Sequence, residues 1–401
     1  MYFSFGVAVA AIAPMLTEVR RDLDVSRGAM GLALGAWAMI YVATSPVAGR
    51  FVDRFDLGWS LALGGVSITG SLLLRAGAQN LTSLWLAVAF FGIFGPLVSA
   101  SAPKLMASWF PDETERRRGV GWYAMAPAIG GALTIAITNP VLLTWLHSWR
   151  TVLVFEAAIA AVATGGWLLT WALVERPVDT RTSTAVSGHD ATWRDLLAST
   201  EIQLILTVAF ALFFVNHALG NWLPTTLEEF SGLTASVAGA WVGAGGIVAI
   251  IASGTIPVLA TPARMHLLIT AVMTVTAGAL VAIAVAPDAT HGVLSMLTFV
   301  RGALAPLAII TVLAAERVTP ANAGLANGMW FSVAEVGGVT GPLTVGVLAD
   351  SSLGYQGALF TVAGVSLFGG AMALLSYCER RDRLDRHSVS PHRSQPCGHT
   401  R

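Results

Sequence analysis

The sequence predicts an all-α membrane protein whose twelve transmembrane helices form two pseudo-symmetric six-helix bundles. Hydrophobic residues make up 55% of the 401 positions, and charged residues make up only 11%. A soluble domain carries roughly 25% charged residues, so a water-soluble globule of this size could not cover its surface. The net charge is zero, which gives no reason to expect nucleic acid as a partner. The expected surroundings are a lipid bilayer.

Twelve apolar runs are separated by short segments that carry charges, proline, asparagine or aspartate. A helix needs about 20 apolar residues to cross a bilayer, and these runs have that length without alternating at period two. The predicted spans are 1–17, 28–48, 59–77, 81–106, 119–143, 150–174, 201–222, 235–258, 266–286, 292–314, 323–348 and 354–378. The first run begins at Met1 with no polar lead, so we expect the true start to lie upstream.

The longest polar connection separates six spans from six. It predicts an N-terminal bundle at 1–174, a central loop at 175–200, a C-terminal bundle at 201–378 and a disordered tail at 379–401. Near the end of the central loop, Trp193–Leu197 has the composition of a short interfacial helix.

The basic residues predict the orientation. Most of the 23 Lys and Arg residues fall in the tail and in the connections on the side of the termini. The connections on the other side hold Arg20, Arg21, Arg27, Arg75 and Arg150. Because basic residues concentrate on the cytoplasmic side, we expect a multi-pass protein of a bacterial inner membrane with both termini in the cytoplasm.

The two halves of the chain repeat each other. Gly92–Pro96 aligns with Gly302–Pro306, and Pro111 aligns with Pro320. The glycines of the fifth span also align with those of the eleventh: Gly121, Gly130 and Gly131 with Gly328, Gly337 and Gly338. A repeat of six helices in a membrane protein is typical of a secondary transporter.

Four segments resemble motifs of the major facilitator superfamily. Gly49–Phe55 is similar to its Gly-x-Leu-Ala-Asp-Arg loop, and Ala126–Gly131 is similar to its antiporter motif. Gly341–Asp350 looks like the end of its eleventh helix, and Asn221–Pro224 resembles the branch of cyanate and nitroimidazole permeases and related organic-anion porters. The resemblance implies a transport path lined by the first, fourth, seventh and tenth helices.

The resemblance also implies a conformational gate at Gly49, Asp53 and Arg54. Asp53 would face the start of the eleventh helix, whose positive dipole end stabilises a carboxylate. This sequence departs from the family where a basic pair would follow, because it reads Asp56–Trp59. A simple topogenic role for these charges stays open.

Small residues and prolines of the fifth and eleventh spans are predicted to serve helix packing and hinge motion, not ligand binding. They are Pro127, Gly130, Gly131, Gly338, Gly341 and Pro342.

Arg301 is the sharpest functional signal. It lies about ten residues into the tenth span, near the predicted midplane. A charge there costs roughly 2.5–3.5 kcal/mol on insertion scales, so it needs water, a substrate or a partner. Because guanidinium can bind a carboxylate with two hydrogen bonds, we expect Arg301 to bind an anion. The alternative is a structural ion pair between two helices.

Glu335 of the eleventh span is predicted at similar depth. A buried carboxylate can take up a proton. Glu335 and the cargo could then compete for Arg301, which would couple proton movement to cargo movement. The alternative is a permanent bridge between Arg301 and Glu335.

His217, Asn216 and Asn221 lie in the outer half of the seventh span. They could contact cargo, and His217 could relay protons. The alternative is a hydrogen-bonding cluster at the membrane interface.

No motif of an enzyme, of ATP binding or of a metal site is present in the sequence, and both cysteines lie near the C-terminus. We therefore predict a monomeric secondary transporter without a cofactor. Its expected partners are a small-molecule anion, protons and lipid. Proton-driven efflux of drug-like compounds is the alternative, and a transporter-like sensor or scaffold is a remote one.

Overall fold

Twelve helices are long and apolar enough to cross a membrane in the computed structural model, which describes residues 1–110, 112–173, 193–261, 264–318 and 323–388. These residues form helices and turns, with no β-strand among them. An even number of spans returns both ends of the chain to one side, here called the terminal face. The opposite side is the distal face. The predicted fold class is confirmed.

Spans 1 to 6 are, in order, Tyr2–Ala10 with Leu16–Asp22, Arg27–Arg54, Leu57–Ala76, Leu81–Trp109, Glu113–Ile137 with Thr144–Leu146, and Trp149–Leu173. Two of them are irregular. Span 1 passes through a 3-10 turn at Ala13–Met15, where Pro14 lacks an N–H for the helical ladder. Span 5 ends in a π-helix, Thr138–Leu143, around Asn139 and Pro140.

The short helix Trp193–Leu197 precedes span 7, so the predicted helix is present, and its position at the membrane interface stays a prediction. Spans 7 to 12 are Thr200–Glu229, Ala235–Thr255, Met265–Val285, His291–Leu297 with Leu304–Leu313, Ala323–Asp350 and Gly354–Ser388. The two α-helices of span 10 are connected by a 3-10 segment, Thr298–Ala303.

Polar side chains set where several spans begin. Ser26 accepts a hydrogen bond from the backbone N–H of Ala29 at 3.1 Å, and Asp56 accepts one from Trp59 at 3.0 Å. Such caps satisfy backbone donors that have no partner in the first turn of a helix. These caps explain why the two helices begin at defined residues, directly after Ser26 and Asp56.

Two predicted helix ends are too early. Span 7 continues past residue 222 to Glu229, with Pro224 inside the helix, because neighbouring helices in a membrane protein tolerate an interior proline. Span 12 continues to Ser388, so residues 379–388 are helical and not a disordered tail. No glycine or proline interrupts the sequence between Gly370 and Pro391. Residues 389–401 lie outside the described part of the chain.

Arg75 is also placed differently from the prediction, which put it in a distal connection. It lies near the end of span 3 and is only 2% exposed. Its Nη1 donates to the carbonyl of Ala8 at 2.6 Å, and an electrostatic interaction links it to buried Glu156 of span 6. This buried pair belongs to the core of the N-terminal bundle.

Each bundle contains a very close helix pair at corresponding positions of the repeat. A Cβ added to Gly130 of span 5 would collide with the backbone carbonyl of Phe3 in span 1. A Cβ added to Gly341 of span 11 would collide with the carbonyl of Phe214 in span 7. Span 5 therefore packs on span 1 as span 11 packs on span 7, which is the relation that the repeat predicts.

Close approaches also join the two bundles in the distal half of the molecule. A Cβ on Gly31 of span 2 would lie 2.5 Å from the carbonyl oxygen of Pro342 in span 11. A Cβ on Gly239 of span 8 would lie 2.9 Å from the carbonyl oxygen of Ile135 in span 5. Spans 2 and 11, and spans 5 and 8, thus close the space between the bundles toward the distal face.

A cluster of charged and polar side chains ties the bundles together at the distal face. Arg27 of span 2 donates from Nε to Glu229 of span 7 at 3.0 Å, and Arg20 lies 3.4 Å from the same carboxylate. Tyr355 of span 12 also donates to Glu229, at 3.1 Å. Asp350 lies 3.5 Å from Arg27. We call these five residues the distal cluster.

Asn139 is a further tie between the bundles, and its position in the π-helix explains it. Its Nδ2 donates to the carbonyl of Pro14 at 2.9 Å and to the carbonyl of Ala235 at 3.1 Å. Pro14 belongs to span 1 and Ala235 begins span 8. One buried amide therefore fixes the interrupted part of span 1 against the opposite bundle.

Replacing Gly341 by alanine should lower the apparent melting temperature of the purified protein, because the new methyl group must displace the backbone of span 7. Overpacking of this kind costs roughly 1–3 kcal/mol. Gly278→Ala is the matched control, since a Cβ there meets nothing within 4 Å. Equal melting temperatures for the two variants would contradict the close packing of spans 7 and 11.

Replacing Glu229 by glutamine should weaken the distal cluster and open the distal face more often. Partly exposed ion pairs contribute about 0.2–1 kcal/mol each, so we expect roughly two- to fivefold faster labelling of a cavity cysteine from the distal side. The reporter is Gly220→Cys in a Cys378→Ser, Cys397→Ser background, labelled by an impermeant maleimide.

The control for this experiment is Asp22→Asn. Asp22 pairs with Arg150 within the N-terminal bundle, so its neutralisation breaks an ion pair without touching the contact between bundles. A similar acceleration in both variants would show that the distal cluster does not hold the distal face closed.

Candidate functional site

A cavity of about 370 Å³ lies between the bundles, on the terminal side of the contacts that close the distal face. Spans 1, 2, 5, 7, 8 and 10 line it, and most of the lining is apolar. Among the described residues, span 4 contributes none to the lining, contrary to the expectation from the family resemblance. Phe91 of span 4 is fully buried and packs behind Phe5 and Trp37, with ring centroids at 4.9 and 5.7 Å. These two aromatic side chains separate span 4 from the cavity.

Arg301 supplies the permanent positive charge of the described cavity wall. It is 7% exposed, and its Nη1 donates to the carbonyl and hydroxyl oxygens of Thr298 at 2.9 and 3.2 Å. The guanidinium lies over the ring of Phe299, 4.4 Å from its centroid. Among the described residues no carboxylate comes within salt-bridge distance of it. The cation is therefore buried at a cavity without a counter-ion.

The local sequence explains the position of Arg301. Ser295 and Thr298 donate from their hydroxyls to the carbonyls of residues three positions earlier, both at 2.6 Å. Such back-bonding competes with the α-helical ladder, and the chain turns as a 3-10 helix at Thr298–Ala303. A 3-10 segment inside a helix often marks a functional position. Here it sets the direction in which Arg301 leaves span 10.

Glu335 of span 11 is buried, at 3% exposure, and its Oε2 makes no hydrogen bond. It does not pair with Arg301, so the predicted permanent bridge is absent from the described structure. A Cβ added to Gly338 would lie 2.7 Å from Oε2 of Glu335 and 2.5 Å from Nδ1 of His217. The nearest ionisable neighbour of Glu335 across that glycine is thus His217, and Tyr41 of span 2 lies on another side.

His217 connects several parts of the site. Its ring lines the cavity and lies between Trp37 of span 2 and Phe213 of its own helix, with centroid distances of 5.3 and 5.4 Å. It also lies against the backbone of Gly338. Pro342 has no N–H, so the carbonyl of Gly338 lacks its usual helical donor and is available to this histidine. His217 therefore contacts both bundles.

The two asparagines also reach the cavity. Asn216 lines it, and so does Asn221, which is mostly buried. Nδ2 of Asn221 donates to the carbonyl of His217 at 2.8 Å, which occupies its amide group with its own helix. The structure thus brings Arg301, His217, Asn216 and Asn221 to one cavity, as the sequence analysis grouped them.

The predicted gate is only partly described. Gly49, Asp53 and Arg54 end the helix of span 2, and Arg54 is exposed. The side chain of Asp53 and the start of span 11 at 319–322 lie outside the described residues, so their contact stays a prediction.

The small residues and prolines of spans 5 and 11 have different surroundings in the structure. Pro127 and Gly131 line the cavity, whereas Gly130 and Gly341 lie in the close helix pairs. Pro342 touches span 2 across the bundle interface, and Gly338 separates Glu335 from His217.

Sequence reasoning missed three residues that shape the site. Trp37 packs against His217, Phe299 lies under the guanidinium of Arg301, and Asn139 joins the bundles. The Asn-Pro pair inside an apolar run was a usable signal for Asn139, because a proline there disturbs the helix. For Trp37 and Phe299 the sequence offers no comparable signal, since aromatic residues are common throughout the spans.

Comparison with known proteins agrees with this architecture. The D-galactonate transporter of Escherichia coli is 24% identical over 91% of this chain and 90% of its own length. Multidrug resistance protein 1 of Bacillus subtilis is 22% identical and is covered to 92%, as is this chain. A solved bacterial homologue of the human lysosomal transporter Spinster, inward-facing and unoccupied, superposes with a TM-score of 0.77 at 15% identity, covering 94% of this chain and 95% of that one.

The family model described as Major Facilitator Superfamily matches residues 1–312. Its members and the relatives above are transporters and not enzymes. This multi-pass integral membrane protein, a transporter of small molecules with twelve spans, belongs to the Major Facilitator Superfamily.

Proposed function

We propose that this transporter carries a small organic or inorganic anion together with protons by alternating access. The observation that carries the proposal is Arg301, a buried guanidinium on the cavity wall without a counter-ion. A buried charge is costly unless it is paired. A carboxylate or similar anion would supply the missing charge and accept hydrogen bonds from Nε and Nη2, which have no partner in the described chain. The resemblance to an organic-acid transporter supports the same cargo class.

Proton coupling is assigned to Glu335. Its carboxyl is buried beside His217, whose ring reaches the cavity and also touches Trp37 of the opposite bundle. A proton on Glu335 removes a buried charge and favours a tightly packed interface. Loss of that proton would leave the Glu335 carboxylate charged next to His217 and disturb the packing of the imidazole ring against Trp37. Protonation can thereby bias the contact between the bundles.

The distal face is closed, so cargo would reach the cavity from the terminal face in this conformation. We place the terminal face in the cytoplasm and the protein in a bacterial inner membrane, because basic residues concentrate on that side of the sequence. Opening of the distal cluster would then release cargo toward the periplasm or admit it from there. We expect the protein to act as a monomer, since the cavity is complete within one chain.

The second candidate function is efflux of drug-like compounds. The nearly full-length similarity to multidrug resistance protein 1 of Bacillus subtilis supports it, together with the apolar lining of the cavity. In that case lipophilic compounds would bind irrespective of charge, and Arg301 would serve the structure of span 10.

Replacing Arg301 by glutamine should abolish the binding of anions. We would measure thermal stabilisation of the purified protein by small carboxylates, cyanate, nitrate and lipophilic drugs. A ligand at about 100 times its dissociation constant stabilises by roughly 2.7 kcal/mol. An anion should stabilise the native protein and not Arg301→Gln, because the only unpaired guanidinium on the cavity wall is lost.

Arg75→Gln is the matched control, since Arg75 is also a buried arginine but lies in the core of the N-terminal bundle. It should lower the melting temperature and keep the stabilisation by the anion. Equal stabilisation of native protein and Arg301→Gln, by lipophilic compounds alone, would favour the efflux function instead.

Replacing Glu335 by glutamine should abolish uptake driven by a pH gradient in proteoliposomes and keep exchange of labelled for unlabelled anion. The amide mimics the protonated carboxyl, so the bundles can still move but no proton is carried. Glu156→Gln is the matched control, because Glu156 is equally buried but lies away from the cavity. Gradient-driven uptake by Glu335→Gln at the native rate would exclude this residue as the coupling site.

A further inference from the structure

We infer that the cargo is a monocarboxylate with an apolar or aromatic body, and not a polyhydroxylated acid or a dicarboxylate. This inference rests on the proposed function and deepens it, since it concerns the same cavity. Three features of the wall carry it: its single permanent cation, its few polar groups and the placement of its aromatic rings.

The cavity offers one permanent positive charge. Of the described lining residues, only Arg301 and His217 can carry a positive charge, and His217 is held between two aromatic rings beside Glu335. One carboxylate can therefore be paired. The second carboxylate of a dianion would be buried against apolar side chains without a counter-ion, which strongly disfavours binding.

The wall offers few hydrogen bonds to anything beyond that carboxylate. Its polar side chains besides Arg301 are Asn216, His217 and Asn221, and Nδ2 of Asn221 already donates within its helix. Apart from the indole N–H of Trp37, the remaining described lining is apolar, and Phe5, Ile135, Leu219, Val242 and Phe299 are its larger side chains. A chain of hydroxyl groups would lose water here without finding partners.

Two of the three Phe and Trp rings among the described lining residues belong to the bundle opposite the cation. Phe5 and Trp37 belong to the N-terminal bundle and meet edge to face, with centroids 6.3 Å apart. Arg301 and its supporting Phe299 belong to the C-terminal bundle. A cargo with its carboxylate on Arg301 would place its body against Phe5 and Trp37. An amphipathic acid thus contacts both bundles, with its charge on one and its apolar surface on the other.

The test compares ligands whose carbon chains have the same length. Hexanoate carries one carboxylate and an apolar chain, D-galactonate adds hydroxyl groups, adipate adds a second carboxylate, and hexanamide removes the charge. 3-Phenylpropionate supplies an aromatic body. Dissociation constants would be measured by calorimetry on the full-length native protein and on Arg301→Gln, each confirmed as a monodisperse species. Arg301→Lys keeps the charge and serves as a second variant.

We expect hexanoate and 3-phenylpropionate to bind at least about tenfold more tightly than D-galactonate or adipate. Arg301→Gln should weaken hexanoate binding by about tenfold or more and leave hexanamide unchanged, whereas Arg301→Lys should keep part of the affinity. If Arg301→Gln does not fold, the ranking of hexanoate over hexanamide in the native protein decides on the role of charge.

The two proposals fail differently. Binding of D-galactonate as tight as that of hexanoate, and its loss in Arg301→Gln, would overturn the apolar cargo and leave the anion site standing. Tighter binding of adipate would overturn the monocarboxylate. Hexanamide binding as tight as hexanoate in both proteins would overturn the anion site itself. Absence of measurable binding by hexanoate and 3-phenylpropionate would also overturn the inference.

Discussion

The unpaired guanidinium of Arg301 is the constraint on which the central part of this structure depends. In a membrane interior a charge must be matched by a partner or by water, and the described chain places no carboxylate within salt-bridge distance of this guanidinium. Thr298 and Phe299 hold one side of the cation, and its remaining donors face the cavity region. Under the proposed function, an anionic cargo would pair with this cation and so alter the stability of the interface between the bundles.

Among the described residues, that interface contains close backbone contacts toward the distal face. Spans 2 and 11, and spans 5 and 8, approach through glycines that leave no room for a Cβ, and the distal cluster adds charged contacts across the same gap. Small-residue packing gains dispersion energy over short distances and is lost when helices separate by a little. When the bundles separate at the distal face, these short-range contacts would be lost together.

The sequence predicts much of this fold because hydropathy and span length follow directly from the bilayer. All twelve predicted spans and the short helix before span 7 are present, although spans 7 and 12 extend further than predicted. Arg301, His217 and the two asparagines line one cavity, and their role in binding cargo stays a prediction. Arg75 was misplaced because a charge next to the end of an apolar run resembles a connection, although its side chain turns back into the bundle. The expected pairing of Arg301 with Glu335 failed for another reason. Two residues at similar depth in two helices can still point in different directions. Arg301 lies in the 3-10 segment of span 10, where side chains point in other directions than in an α-helix.

The separation of Arg301 and Glu335 changes how coupling can work. Direct competition of cargo and Glu335 for one guanidinium requires contact between them, and the carboxyl lies instead beside His217 and Tyr41. In the proposed mechanism, cargo charge and proton act on different parts of one interface: the anion on Arg301, and the proton on Glu335 beside His217, whose ring packs against Trp37. Both change the same equilibrium between closed and open bundles, and linkage requires each to alter the affinity for the other. Coupling through a shared movement needs no bridge between the two charges.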